Sequence, residues 1–252
     1  MKWGLIMQLK NEDSKSPSNI KDINIDASFL HLIQIHDSAF PTGMFSHSFG
    51  METYMIQDDV KDSDSVIEFC EMYLRHSIGT TDAILVKEAF NLAQKNDLNG
   101  LMRLESICHS IKLALEARNG SSMLGRQFIR TVSQISDDTL LSSWQKKIKD
   151  KEITGHYPIA YGIYTASLGV ELEIAISTYL YASVASLVQN AVRAVPIGQN
   201  AGVKAVFKLL PIVQEVTLEV FQKTLDDLNN HAIALEIAQM KHEFVHARLF
   251  MS

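Results

Sequence analysis

The sequence predicts an all-α protein, a single-domain bundle of roughly ten helices with no sheet. Three observations predict it. From Ala27 onward apolar residues recur at spacings of three and four, strict alternation is hard to find over more than a few residues, and turn-forming residues fall at the ends of the periodic runs. With 252 residues, 46% of them hydrophobic, and only 12 Gly and 5 Pro, the chain can bury a large core.

The elements follow in order. Residues 1–26 are expected to form a mobile N-terminal arm, because NEDSKSPSNIKDINID is polar and poor in large apolar residues. The all-helical domain then runs from 27 to 252. Phe29, Leu30 and Ile33 mark the apolar face of a first helix that ends near His36, and Asp37 to Gly43, with Pro41, reads as a loop. Phe45, Phe49, Thr53 and Ile56 are spaced to share one face of a second helix. DDVKDSDS offers N-caps for VIEFCEMYLRHSI, and Gly79 with Thr80, Thr81 and Asp82 ends that helix and opens DAILVKEAFNLAQK.

Helices are expected in LNGLMRLESICHS and in IKLALEARNGSSMLGRQFIRTVSQI, with continuity between the two left open, and in DDTLLSSWQKKIK. Pro158 suits a first helical turn and Gly169 closes YPIAYGIYTASLG. The longest run, ELEIAISTYLYASVASLVQNAVRAV, is apolar on nearly all sides, as a central helix would be, and Pro196 ends it. A helix from about Asn200 is expected to kink or break at Pro211, and a last one to carry ALEIAQMKHEFVHARLF to the C-terminus.

Composition narrows the function classes. The formal charge is −6, from 29 acids and 23 bases, and no basic run could track a phosphate backbone, so nucleic acid is not an expected partner. No apolar run approaches the roughly 18 residues that span a bilayer, and MKWGLIMQLK has too short an apolar block for a secretory signal. Cys70 and Cys108 form no CxxC pair and read as buried, reduced thiols. The chain is expected to be cytoplasmic.

Three motifs invite chemistry. FPTGMFSHSFGME, from Phe40 to Glu52, sets serine beside histidine, but a nucleophile elbow needs glycine two residues before the serine and a strand leading into the turn. Ser48 has Ser46 in that place. Helical neighbours also point about 100° apart, so His47 is badly placed to act as base for Ser46 or Ser48. A helix entry capped by Thr42 or Ser46, or a partner-contact surface, remains. His242, Glu243 and His246 spell H-E-x-x-H, which on a continuous helix could hold zinc with the glutamate as general base of a hydrolase. Ser252 stands where a metzincin third histidine would fall, so any third ligand must come from upstream. PIGQNAGVK fails as a phosphate loop: Gly198 and Gly202 enclose three residues, Val203 precedes Lys204, and Ala205 follows it. It reads as a tight connection between helices. His31, His36, His76, His109 and His156 form no ligand pattern in the sequence, and Tyr179, Tyr181 and the methionines read as packing residues.

Taken together, LHLIQIHDSAFPTGMFSHSFGMETY, GSSMLGRQF, YGIYTASLGVELE, YLYASVASLVQNAVRAVPIGQNAG and QMKHEFVHARLFMS resemble the urease accessory protein F (UreF) family, in order and from about residue 28 to the C-terminus. Met51 and Ile197 stand where that family usually has leucine, and Val203 where glutamine often follows the AG pair. His246 has no counterpart in its tail pattern. The resemblance implies an all-helical, non-catalytic scaffold with no cofactor or resident metal. Such a scaffold dimerises, joins UreD (also called UreH) and the GTPase UreG, and helps build the nickel centre of apo-urease. A helical adaptor unrelated to nickel is the other non-enzymatic reading. By motif position the resemblance places partner contacts at Phe45, Ser46, His47, Ser48 and Glu52, at Arg193, Pro196, Gly198 and Gln199, and at Arg248.

Overall fold

The computed structural model describes residues 27–251, and among them there are eleven α-helices and no strand. The arm expected at residues 1–26 lies outside the described residues. The helices are α1 (Ala27–His36), α2 (Met51–Ile56), α3 (Ser63–Tyr73), α4 (Asp82–Gln94), α5 (Leu98–Ile111), α6 (Leu115–Val132), α7 (Thr139–Lys149), α8 (Tyr157–Leu168), α9 (Leu172–Ala194), α10 (Gln199–Gln222) and α11 (Ile233–His242).

Local chemistry sets many of the boundaries. Asp62 caps α3 by accepting from the Ser65 N–H at 2.9 Å, while the Asp62 N–H donates back to Ser65 Oγ. Asp97 and Asp138 cap α5 and α7 by accepting from the Gly100 and Leu141 N–H groups. Pro158 lies in the first turn of α8, and Gly169, at φ 72°, ends it in the left-handed region.

The core is organised around α8, whose residues from Tyr157 to Thr165 are all buried. It crosses α4 closely at Gly162, where a Cβ would stand 2.6 Å from the Val86 carbonyl oxygen and 2.7 Å from Ala89 Cβ. The rings of Phe128, Tyr157, Tyr161 and Tyr179 cluster there, with edge contacts at 5.5 Å between Phe128 and Tyr157 and 5.2 Å between Tyr161 and Tyr179. The longest apolar run is therefore not the central helix. In α9 one face is buried, whereas Ile174 and Tyr181 remain exposed.

Three expectations change in detail, and one point left open is decided. Phe45 and Phe49 are not on a helix with Thr53: Met44–Ser46 is a single 3-10 turn, and Phe49 and Gly50, at φ 50° and 92°, break the chain before α2. The run from Leu98 to Val132 divides into α5 and α6 because the Ala114 N–H donates to Glu236 Oε1 at 2.8 Å and Lys112 Nζ meets Asp82 Oδ1 at 2.5 Å. The first bond satisfies a backbone N–H that a continued helix would have used, and the second anchors the side chain of the linking segment. Pro211 neither breaks nor ends α10. Its ring denies the Phe207 carbonyl a helical partner, but both residues are exposed and water can take that carbonyl. Finally, α11 stops at His242 instead of running to the C-terminus.

Candidate functional site

The stretch from Phe40 to Glu52 is fixed by its carbonyl groups. Asn190 Nδ2 donates to the His47 carbonyl at 2.8 Å, Gln239 Nε2 to the Phe49 carbonyl at 3.0 Å, and Arg193 Nη1 to the Phe45 carbonyl at 2.9 Å. Thr53 Oγ1 donates to the Ala238 carbonyl at 2.9 Å and so ties α2 to α11. Ser48 is buried, and its Oγ accepts from the Glu52 N–H at the start of α2. His47 is buried against Phe49, and burial lowers its pKa below the ordinary 6.5, with the Glu116 charge opposing.

Residues 243–251 form a C-terminal strap across this stretch. Glu52, only 4% exposed, takes the strap on its carboxylate: Oε1 accepts from the Leu249 N–H at 2.7 Å and Oε2 from the Phe250 N–H at 3.2 Å. Glu52 Oε2 also lies 2.8 Å from His242 Nε2, and the other ring nitrogen of His242 lies 2.6 Å from Glu116 Oε2. The second oxygen of Glu116 pairs with Arg248. At the end of the strap the Met251 N–H donates to the Ser46 carbonyl at 2.8 Å. Phe250 is buried with the Arg193 guanidinium 5.3 Å from its ring centroid.

The H-E-x-x-H geometry does not form. Glu243 already lies past the end of α11, and the turn that follows carries His246 to the exposed surface. His242 is fully buried, with each ring nitrogen facing a carboxylate oxygen, so it cannot turn toward a ligand shared with His246 without giving up a partner.

The UreF family model matches residues 60–210. The urease accessory protein UreF of Sporosarcina pasteurii is 54% identical over 202 residues, 80% of this chain and all of that protein. The proteins of the same name from a Bacillus strain (TB-90) and from Ureaplasma urealyticum are each 35% identical over 223 and 227 residues, or 88% and 89% of this chain and 98% and 97% of theirs. The chain belongs to the UreF family.

In this UreF-family chain, five of the residues singled out from the sequence form one bonded group: Phe45 and Ser46 through their carbonyls, Glu52, Arg193 and Arg248. His47 and Ser48 lie beneath it, buried. Pro196, Gly198 and Gln199 form the exposed corner between α9 and α10, a few residues beyond Arg193, and Gly198 caps α10. Sequence reasoning did not single out Glu116, Asn190 or Phe250 as contact residues. Glu116 and Asn190 look like ordinary helix residues, and their partners lie 126 and 143 positions away.

Proposed function

We propose that this chain is a urease accessory protein: a non-catalytic scaffold that joins UreD/UreH and the GTPase UreG and, through that complex, helps apo-urease acquire its nickel centre. It acts in the cytoplasm as a homodimer. Membership of the UreF family supports the accessory role.

The observation that carries the reading is the convergence of the opening motif, the end of α9 at Arg193 and the strap into one assembly. A surface built from three distant segments, with its backbone held by buried side chains, is preorganised for a partner instead of for a small substrate. Beside it α11 presents Ile233, Ile237 and Met240 outward at spacings of four and three, and Phe244, just past the end of the helix, is 77% exposed. An apolar row of this length on a monomer's surface is costly to leave in water and suits a protein contact. No helix among the described residues is long and apolar enough to cross a membrane, so the row is not part of a membrane span.

In this arrangement Arg193, Arg248 and the corner residues Pro196, Gly198 and Gln199 meet the partner directly. His47, Ser48 and Glu52 act from beneath by holding the loop and the strap. The test is urease activation in a deletion strain complemented with Arg193→Ala, together with co-purification of UreD/UreH and UreG. Activation and recruitment at wild-type levels would refute the assignment of Arg193, and normal urease activity in the uncomplemented strain would refute the accessory role itself.

A further inference from the structure

The long helix α10 carries a second apolar row. Its inner face, including Ala205, Leu209, Val213, Val216 and Val220, is buried, and the helix packs on α9 and α3. Its outer face nevertheless shows Val203, Phe207, Leu210 and Leu218 to solvent, and Phe207 is 73% exposed. Steps of four, three and eight residues keep these side chains on one stripe. The α11 row lies on a different helix, whose main packing partners are α2 and α6, whereas α10 packs on α9 and α3.

The charges along one edge of the stripe restrict what could cover it. Glu215 and Glu219, toward the C-terminal end, are already matched: Arg75 lies 2.7 Å from Glu215 and Lys223 lies 3.5 Å from Glu219. Lys204 and Lys208, toward the N-terminal end, are not. Lys208 has only a loose 3.8 Å approach to exposed Asp64, and Lys204 has no ionic partner among the described residues. A second copy of α10 could offer these lysines only Glu215 and Glu219 from its own length, and both are already engaged.

We propose that the outer face of α10 docks an amphipathic helix of a different protein, one with an apolar stripe and acidic residues on the edge that meets Lys204 and Lys208. This rests on the scaffold reading above and extends it. The chain then has two separate apolar faces, so it can hold two unlike partners at once, one at the strap and α11 and the other along α10.

The test uses the full chain co-produced with UreD/UreH and UreG. Phe207→Glu should lower the affinity for one of these partners at least tenfold and leave the other unchanged, because the strap is untouched. Lys204→Glu with Lys208→Glu should weaken the same partner and flatten the salt dependence of its binding. The proposal is overturned if both partners bind Phe207→Glu as they bind wild type. It is equally overturned if Phe207→Glu instead abolishes self-association measured by light scattering, since the stripe would then face a second copy. A wild-type chain that bound neither partner would count against the scaffold reading rather than against the stripe.

Discussion

His242 and Glu52, 190 residues apart, meet with 2.8 Å between Nε2 and Oε2 in the buried joint that fastens the last turn of α11 to the first turn of α2. The same Glu52 carboxylate receives two backbone N–H groups of the strap. One side chain thus couples the loop-to-helix entry at Gly50 to the end of the chain. Glu52→Ala is expected to leave His242 without one partner and two strap amides without an acceptor, at a cost of about 3 kcal/mol. Urea unfolding would read the stability loss. Hydrogen exchange at Leu249 and Phe250 should accelerate before global unfolding does.

The two histidines of the H-E-x-x-H string should behave differently. His246 is exposed, so His246→Ala is expected to change stability by less than about 0.5 kcal/mol. His242→Ala takes one partner from each of the Glu52 and Glu116 carboxylates, which keep the strap amides and Arg248, and should cost about 3 kcal/mol. Thermal unfolding of both variants checks this, and metal analysis of the same samples checks the hydrolase reading. Stoichiometric zinc lost equally in both variants would contradict the arrangement described above.

Gly50 has a local reason to be glycine. Its φ is 92°, and a Cβ there would stand 2.8 Å from Gln239 Cγ and 2.9 Å from Leu235 Cδ1 on α11. Gly50→Ala should therefore strain the backbone and push α11 outward, lowering the melting temperature by roughly 4–8 °C for about 2 kcal/mol. A melting temperature within 1 °C or so of wild type would show that the α2–α11 contact yields easily.

Stability should depend on pH through three buried groups. Burial pushes Glu105 up to about 7, against the N–H groups of Gly155, His156 and Thr154 that favour its charged form. The folded chain keeps this proton while the unfolded chain releases it near the ordinary 4.5, so this contribution to stability falls as pH rises from 4.5 to 7. Burial pushes His36 down to about 4 and His156 to about 3, so the unfolded chain takes up these protons below 6.5 and the folded chain does not. Their contribution is lost as pH falls below 6.5. Between pH 4.5 and 6.5 two histidines outweigh one glutamate, which gives greatest stability from this set near pH 6.5. Urea midpoints at pH 5, 6.5 and 8 test the profile. Glu105→Gln should remove the alkaline limb, a change of about 3 kcal/mol across the window.

Several boundaries set by a neighbour in sequence were legible. Asp62 with Ser65, Pro158 and Gly169 are signals confined to one turn: α3 begins at the first pair, and α8 begins and ends at the other two. The break before α2 is local, at Phe49 and Gly50 with positive φ, and was still missed, whereas other outcomes were decided by distant partners. The α5–α6 break depends on Glu236 and Asp82, and the early end of α11 accompanies a strap held by Glu52 and Glu116. The approach of His109 Nδ1 to His156 Nε2, at 3.1 Å, was likewise invisible in sequence.

For the site, the amino-acid sequence by itself determined the fold class, which segments belong together as a family signature, and that Ser48 has no nucleophile elbow. Helical period, capping chemistry and the spacing of motif residues are local properties, and they survive reading one residue at a time. Only the tertiary structure decided that Glu52 faces inward to hold the strap, that Glu116 and His242 complete its joint, and that Arg193 and Arg248 belong to the same assembly. Those facts rest on burial and on hydrogen bonds closed across more than a hundred residues. A carboxylate in sequence looks the same whether it faces water or two backbone amides, and only packing makes the second state the stable one.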